Sequence, residues 1–214
     1  MSGVWWDDVE RAALCHDLER FGTNAPTLLP GWTASDLAAH LVQREHDPLS
    51  APTLVLPVRY QRFADRRRAT LLRRHGFDRL VTMIGTGPPV GLFRVPWVRA
   101  TANLNELFVH HEDLRRANGL DPRTDLPPGL DDALWRNVRV SGRYLTRRVR
   151  GAGLTAHRAG TGEVVAVRRG EPTVTVVGPP GELLLFLFGR DAARVDLVGT
   201  PDAVAAVRAA HLGM

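Results

Sequence analysis

Apolar residues recur every three or four positions over most of the first two thirds of the chain, which is the spacing of amphipathic helices. The first such segment covers 4–21 and ends at Gly22, a residue type that commonly terminates helices. The second follows Thr33 and Asp36, which have the spacing of a capping box, and continues until Pro48 closes it. The pattern therefore predicts two well-delimited helices at the start of the chain.

Further helices are predicted before residue 151. The stretch 49–95 is the least regular, and within it we expect a basic helix at about 58–74 and a shorter one at about 77–85. The Gly- and Pro-rich GTGPPVG then breaks the pattern. Two stronger helices follow, at about 97–118 and 131–150. The N-terminal part is thus predicted to be a bundle of at least four helices.

The pattern changes at Gly151. From there, short β-branched segments alternate with AGTG and RGEP, which we interpret as hairpin turns, and two helical segments enclose one more strand. The predicted order is βββαβα, an α+β arrangement. We therefore expect a mainly α protein with two domains, a helical bundle over 1–150 and a small α+β domain over 151–214.

Composition limits the classes to which this protein can belong. The chain has 214 residues and a net charge of +5, and all 28 of its basic residues are arginine. It has no apolar run long enough to cross a membrane and no basic, apolar leader of the secretory type. Its one cysteine, Cys15, excludes an internal disulfide and is expected to be a buried structural thiol. These features predict a cytoplasmic protein that does not interact with membranes.

A polar stripe on the helix at 97–118 carries the candidate chemistry. Asn103, Glu106, His110 and Asp113 follow one another at spacings of three and four and so share one face. Glu106 and His110 are one turn apart, where one cation can bridge a carboxylate and an imidazole. His111 lies on a different side of the helix and ranks second as a ligand. Asp113 and Asn103 are placed to hydrogen-bond the imidazole and fix its tautomer.

His40 lies mid-helix between Leu37 and Leu41, where an imidazole without a partner is costly. Together with Glu106 and His110 it would supply three ligands and leave one coordination position open, as in catalytic zinc sites. Spacing alone leaves the alternative that these are ordinary structural residues, since single helical histidines usually are. Two histidines and a carboxylate suit zinc, nickel and iron alike.

Three motifs, GWTASDLAAHL, NELFVHHEDLRR and GPPGELLLFLFGR, together resemble the mycothiol-dependent maleylpyruvate isomerase family. The resemblance covers almost the whole chain. It implies a DinB-type metal-binding four-helix bundle followed by a small α/β domain. It also implies that His40, Glu106 and His110 bind zinc or another divalent metal, and that a low-molecular-weight thiol such as mycothiol is the cosubstrate.

The resemblance further implies a basic residue from the C-terminal domain that steadies an anionic electrophile. Arg190, at the end of LLLFLFGR, is the matching candidate for this catalytic role. The competing interpretation is that Arg190 only caps its helix, where the helix dipole favours a cation. The double His110–His111 and the weakly matching segment 49–95 depart from the family pattern. We therefore expect a zinc-dependent thiol transferase or isomerase that acts on a different substrate.

The alternative class is a non-catalytic metal-binding or basic nucleic-acid-associated protein. All of the net charge lies in residues 1–150, with arginine runs at 66–68, 73–74 and 147–148 that could follow phosphates. The chain lacks interleaved aromatics and a nucleic-acid-reading motif, so nucleic acid is the less favoured partner. It also lacks a Walker loop, a dinucleotide fingerprint and a G-x-S-x-G elbow.

Overall fold

The computed structural model describes residues 4–47 and 61–213, and its contacts divide the chain into two compact units, Met1–Pro122 and Arg123–Met214. The sequence pattern suggested a boundary at Gly151 instead. The difference arises from one helix, Pro128–Leu145, which packs against a strand and a helix of the C-terminal unit. The apolar face of this helix is therefore buried against other elements of the second unit.

The described part of the first unit is built from helices and their connecting loops, with four helices forming a bundle and a further helix packed beside two of them. Its helices are α1 (Trp6–Phe21), α2 (Ala34–His46), α3 (Gln61–His75), α4 (Phe77–Thr86), the short α5 (Pro96–Val98) and α6 (Leu104–Ala117). α1 contacts α4 and α6, while α2 contacts α3 and α4. Of the predicted helix at 58–74, residues 58–60 lie outside the described part of the chain.

The start of α2 follows from its capping residues. The Asp36 carboxylate accepts hydrogen bonds from the Thr33 backbone N–H at 3.0 Å and from its hydroxyl at 2.9 Å. This confirms the predicted helix start and satisfies donors that would otherwise lack an intrahelical partner. The bundle core then forms from the small and branched residues of four helices. Its members include Leu14, Leu18, Leu37, Ala38, Leu41, Leu80, Ile84, Leu107 and Leu114.

The predicted helix at 97–118 is interrupted. Regular α-helix begins only at Leu104, because Arg99–Asn103 form a π-helical turn after α5. A π turn adds a residue to the helical repeat and shifts the phase of everything before it. Trp97 is seven residues before Leu104 and would share its buried face in an uninterrupted α-helix, but it is 66% exposed.

A buried ion pair ties three bundle helices together. Arg11 of α1 donates to both carboxylate oxygens of Glu45 on α2, at 2.7 and 2.6 Å, and also to the Ile84 carbonyl at the end of α4, at 2.9 Å. Both side chains are almost fully buried. Two buried charges are tolerated here because each satisfies the other with bidentate geometry.

The second unit consists of α7 (Pro128–Leu145), β1 (Gly153–Arg158), β2 (Val164–Arg168), β3 (Thr173–Gly178), α8 (Pro180–Leu187), β4 (Asp196–Val198) and α9 (Pro201–Ala209). The predicted order βββαβα is confirmed for the chain after Gly151. Thr146 of the α7 end donates to the Val167 carbonyl at 2.8 Å, which fastens the helix to β2. The fold is therefore mainly α with a small α/β part.

The sheet order is β2-β1-β3-β4, and this corrects one predicted turn. AGTG does connect an antiparallel pair, β1 and β2. RGEP is not a hairpin turn, because β3 crosses to the other side of β1 and pairs with it in parallel. Gly153 permits this crossing, since a Cβ there would lie 2.1 Å from the Gly170 carbonyl oxygen. No helix in the described part of the chain is long and apolar enough to span a membrane.

The Arg11–Glu45 pair yields a stability prediction. Replacing Glu45 with alanine leaves a buried guanidinium without its partner, so we expect the free energy of unfolding to fall by about 3–5 kcal/mol. Asp8→Ala is the matched control, because Asp8 is exposed and its pair with Arg99 should contribute less than about 1 kcal/mol. Urea unfolding measures both. Equal midpoints for the two variants would show that the buried pair does not hold the bundle together.

Candidate metal centre

Two imidazoles converge on one carboxylate oxygen in the first unit. The Nε2 atoms of His40 and His110 lie 2.9 and 3.1 Å from Oε1 of Glu106. The two rings meet edge to face, with their centroids 5.1 Å apart. The structure therefore brings together the three residues that the sequence analysis selected as metal ligands.

The helices explain this convergence. Glu106 and His110 are one turn apart on α6, so their side chains project from the same face. His40 projects from α2, whose neighbouring residues Leu37 and Leu41 are buried in the bundle core and fix the rotation of the helix. Local helical spacing thus places two ligands, and packing of the bundle places the third.

Burial around the cluster is uneven. The side chains of Glu106 and His110 are 8% and 9% exposed, whereas that of His40 is 25% exposed. His40 is therefore the most solvent-exposed member of the cluster.

The charges of the cluster are set by its hydrogen bonds. Burial raises the pKa of Glu106, but hydrogen bonds from His110 and His40 outweigh it and hold that pKa well below its usual value. Burial lowers the pKa of His110, but hydrogen bonds to Asp113 and Glu106 outweigh it and raise the pKa to about 9. Burial dominates at His40 and lowers its pKa. The metal-free centre is thus an imidazolium and a neutral imidazole, both donating to one carboxylate.

Asp113 fixes the orientation of His110. Its carboxylate, fully buried, accepts a hydrogen bond from Nδ1 of His110 at 3.0 Å and leaves Nε2 directed at the cluster. Such a carboxylate typically holds a metal-binding histidine in the required tautomer. The hydrogen bond between Asp113 and His110 that was expected from the sequence is therefore present.

Asn103 does not have the role predicted for it. Its amide donates to the Phe93 carbonyl at 2.8 Å and accepts from Arg44 at 3.1 Å, so it holds the segment before α6 and not an imidazole. The side-chain oxygen and nitrogen of Asn103 both have partners away from the imidazoles, which accounts for the difference. Arg44 lies one turn after His40 on α2, and its charge helps to lower the pKa of Glu106.

His111 lies outside the cluster and belongs to a separate buried network. Its Nδ1 is 2.7 Å from Glu10 and its Nε2 is 3.0 Å from Asp17, both on α1. Each ring nitrogen therefore has a carboxylate oxygen within hydrogen-bond distance. The two carboxylates approach different ring nitrogens, so this set does not converge on one point. Sequence spacing separated the two histidines correctly but did not reveal the partners of His111.

The cluster fits a divalent ion. Ligand atoms of His40, Glu106 and His110 all lie within 4.8 Å of one another, and the described residues contain no other such group of three. Tetrahedral ligands at about 2.0–2.1 Å from zinc are about 3.3 Å apart, close to the separations seen here between each Nε2 and Oε1. The rearrangement needed to admit an ion is therefore small, apart from loss of the protons between the ligands.

Arg190, the candidate catalytic residue, lies in the second unit just after α8. Its Nη1 donates to the Phe188 carbonyl at 2.9 Å, which is the contact expected of a helix-capping arginine. It also lines a cavity of about 450 Å³ together with Asp191, Arg208 and His211. The capping contact is thus present, and a role toward substrate remains a proposal.

Sequence reasoning missed two residues beside the exposed edge of His40. The indole of Trp32 lies 5.3 Å from the imidazole, centroid to centroid, and the guanidinium of Arg68 stacks 4.0 Å above that indole. Trp32 was visible only as part of the motif before α2, and Arg68 only as one member of an arginine run. Neither pattern indicates that the two meet near the cluster.

No family model matches the sequence, and no curated protein matches it by sequence. Two solved structures match the fold. One is the mycothiol-dependent maleylpyruvate isomerase, with a TM-score of 0.56 and 19% identity over 90% of each chain. The other is a variant of such an isomerase with one histidine replaced by alanine, with a TM-score of 0.54, 19% identity and the same coverage. At this identity the similarity establishes a shared fold, which is the fold that the sequence motifs implied.

The convergent geometry predicts one divalent ion per chain. We expect His40→Ala and His110→Ala each to abolish stoichiometric zinc binding, because each removes one of only three ligands. Metal analysis after dialysis of the purified protein measures this.

Two histidines serve as controls. His16→Ala removes an exposed histidine of α1, and His111→Gln removes the buried histidine adjacent to the proposed ligand. Both should keep one zinc per chain, although His111→Gln should unfold at lower urea concentration. If the His111→Gln variant folds but loses its zinc, His111 and not His110 would be the ligand, and the proposed assignment would be wrong.

The proton on His110 predicts a pH dependence of metal binding. Its pKa of about 9 means that the metal-free protein carries this proton at neutral pH, and an ion must displace it. The apparent zinc affinity should therefore rise about tenfold per pH unit from pH 7 and level off near pH 9. Calorimetry in buffers of different ionisation enthalpy should detect release of about one proton per zinc at pH 7. An affinity that does not change over this range would contradict the assigned charge state.

Proposed function

We propose that the protein binds a divalent metal through His40, Glu106 and His110 and uses it as a thiol transferase or isomerase. Zinc is the expected ion, while nickel and iron suit the same donors. The observation that carries the proposal is the convergence of both Nε2 atoms on Glu106, in a fold shared with a mycothiol-dependent isomerase.

The number of ligands favours catalysis. Structural zinc sites usually have four protein ligands, whereas catalytic sites have three and keep a position for substrate. The described residues supply three ligand atoms, and the partly exposed edge of His40 gives a small molecule access. A bound ion would supply a Lewis acid that lowers the pKa of a coordinated thiol and so favours its nucleophilic thiolate form.

The side chains around the ligands have defined roles in this proposal. Asp113 holds Nδ1 of His110, which keeps Nε2 available as a ligand. Arg44 favours the ionised form of Glu106, which is the form that binds cations. Low exposure of Glu106 and His110 limits competition from water. Together these residues prepare the donors before an ion arrives.

The thiol is proposed by analogy with the fold neighbour, which uses mycothiol. Cys15 does not serve as the thiol, because burial raises its pKa to about 11 and leaves it unreactive. Arg190 is the proposed contact for an anionic electrophile, in a role separate from metal binding. The proposed reaction is therefore either transfer of a small thiol to an anionic electrophile or isomerisation of that electrophile.

The competing proposal is a protein that binds metal or nucleic acid without catalysis. It is supported only by the exposed arginines, such as Arg66, Arg73 and Arg74 on α3. If that surface were the functional one, DNA binding would fall steeply with salt and be equal with and without metal.

Thiol coordination is the test of the enzyme proposal. Cobalt-substituted protein titrated with mycothiol should develop a thiolate-to-cobalt charge-transfer band, because the open position accepts the sulfur. Glutathione serves as the comparison thiol. If neither thiol changes the spectrum or produces heat in calorimetry at millimolar concentration, only the non-catalytic proposal survives.

Two variants separate the proposed roles once a substrate is identified. Glu106→Gln should reduce metal content and turnover together, since it removes an anionic ligand. Arg190→Ala should keep its metal and instead raise KM or lower kcat for an anionic electrophile. Loss of metal from Arg190→Ala would show that the residue acts through the fold.

A further inference from the structure

Trp32 and Arg68 form a second feature next to the cluster, beside its most exposed member, His40. The indole of Trp32 contacts the imidazole of His40 at 5.3 Å between centroids, and His40 is the most exposed of the three proposed ligands. Arg68 reaches this indole from α3 and lies 4.0 Å above it. A cation and an aromatic surface therefore border the accessible edge of the cluster.

The backbone fixes Trp32 in this position. It ends a tight turn over Leu29–Trp32, in which the Trp32 N–H donates to the Leu29 carbonyl at 3.1 Å. Gly31 adopts φ +76°, a conformation that this turn requires at its third residue and that other residue types rarely adopt. The Trp32 carbonyl also accepts from the Thr27 hydroxyl at 3.0 Å. The indole is thus presented by a rigid loop immediately before α2.

Arg68 is held by stacking on the indole and only weakly by its ion pair. It donates to Asp65 at 2.8 Å, but Asp65 is 57% exposed, and pairs of this kind contribute little. The Arg68 side chain itself is only 14% exposed. A guanidinium has five N–H donors in a planar fork that matches a carboxylate, so a ligand carboxylate can replace or join Asp65.

We propose that Trp32 and Arg68 form the binding site for the anionic group of the electrophile, with the carboxylate paired to Arg68. This inference rests on the proposed function and adds Arg68, in the first unit, as a contact for an anionic group of the substrate. The Arg68 guanidinium lies 4.0 Å from the centre of the Trp32 ring, and the centre of that ring lies 5.3 Å from the centre of the His40 imidazole. A molecule of a few carbon atoms whose carboxylate is bound to Arg68 is therefore long enough to extend to His40.

The proposed anion site lies within one compact unit of the chain. Arg68 and the proposed metal ligands belong to the same compact unit, whereas Arg190 belongs to the other. Recognition of the carboxylate by Arg68 needs no contribution from the C-terminal unit. If Arg68 binds the anion, substitution of Arg68 should weaken anion binding. If Arg190 alone binds it, substitution of Arg190 should.

Fumarate, a planar dicarboxylate, is the probe, and its neutral diamide is the ligand control. We expect fumarate to shift the indole N–H resonance of Trp32, assigned with Trp32→Phe, in both metal-free and zinc-loaded full-length protein. Arg68→Gln should weaken fumarate binding about 10- to 100-fold, as loss of a charged hydrogen-bond partner typically does. Arg74→Gln is the matched control, because it removes an exposed charge from the same helix.

The possible outcomes separate this inference from the proposed function. Equal fumarate affinity in Arg68→Gln and Arg74→Gln, loss of binding only in Arg190→Gln, or failure of fumarate to bind the native protein would each overturn it. Zinc content is measured on every sample. A protein that binds no zinc but loses fumarate with Arg68→Gln would refute the proposed function and leave the anion site standing.

Discussion

Oε1 of Glu106 accepts hydrogen bonds from two imidazoles inside a helical bundle, where a buried carboxylate is stable only if it is paired. The pairing determines the charge of its neighbours. His110 retains a proton that burial alone would remove, and Asp113 must then neutralise the far side of that ring. The metal-free centre is thus held together by protons in the positions that an ion would take. In the proposed metal site, binding of an ion would exchange these protons for a cation between the same donors.

The scaffold restricts how these donors can move. α6 carries two of the three, and it is fastened to α1 by the second histidine of the pair, His111, through Glu10 and Asp17. α2 carries the third and is fastened to α1 by the Arg11–Glu45 pair. Buried ionic networks of this kind add little net stability compared with apolar residues of similar volume. They specify one arrangement of helices, because misaligned alternatives leave buried charges unpaired. The adjacent histidines therefore have distinct roles, one toward the centre and one toward the fold.

Local features were predictable from the sequence. The capping residues Thr33 and Asp36 specify where α2 begins, and the spacing of Glu106 and His110 places them on one face, since both depend on neighbours along the chain. Features set by distant contacts were not predictable. The π turn before Leu104 exposes Trp97, and the parallel pairing of β3 with β1 depends on which edge the chain crosses to.

The same limit applies to the centre itself. Its three proposed ligands lie in recognisable motifs, but the contact of Trp32 with Arg68 joins two segments that share no pattern. The sequence also did not reveal that α7 belongs to the second unit, because an amphipathic pattern does not indicate which neighbour buries the apolar face of the helix. Sequence analysis selected three residues that the structure brings together, and the structure identified the residues that surround them.

X-ray absorption at the zinc edge tests the central claim most directly, because it reports the atoms bound to the ion. For zinc-loaded protein we expect only nitrogen and oxygen neighbours at about 2.0–2.2 Å, with the scattering pattern of two imidazoles. Addition of mycothiol should introduce one sulfur at about 2.3 Å. A sulfur neighbour before any thiol is added, or a closed set of four protein ligands that thiol leaves unchanged, would contradict an open centre on His40, Glu106 and His110.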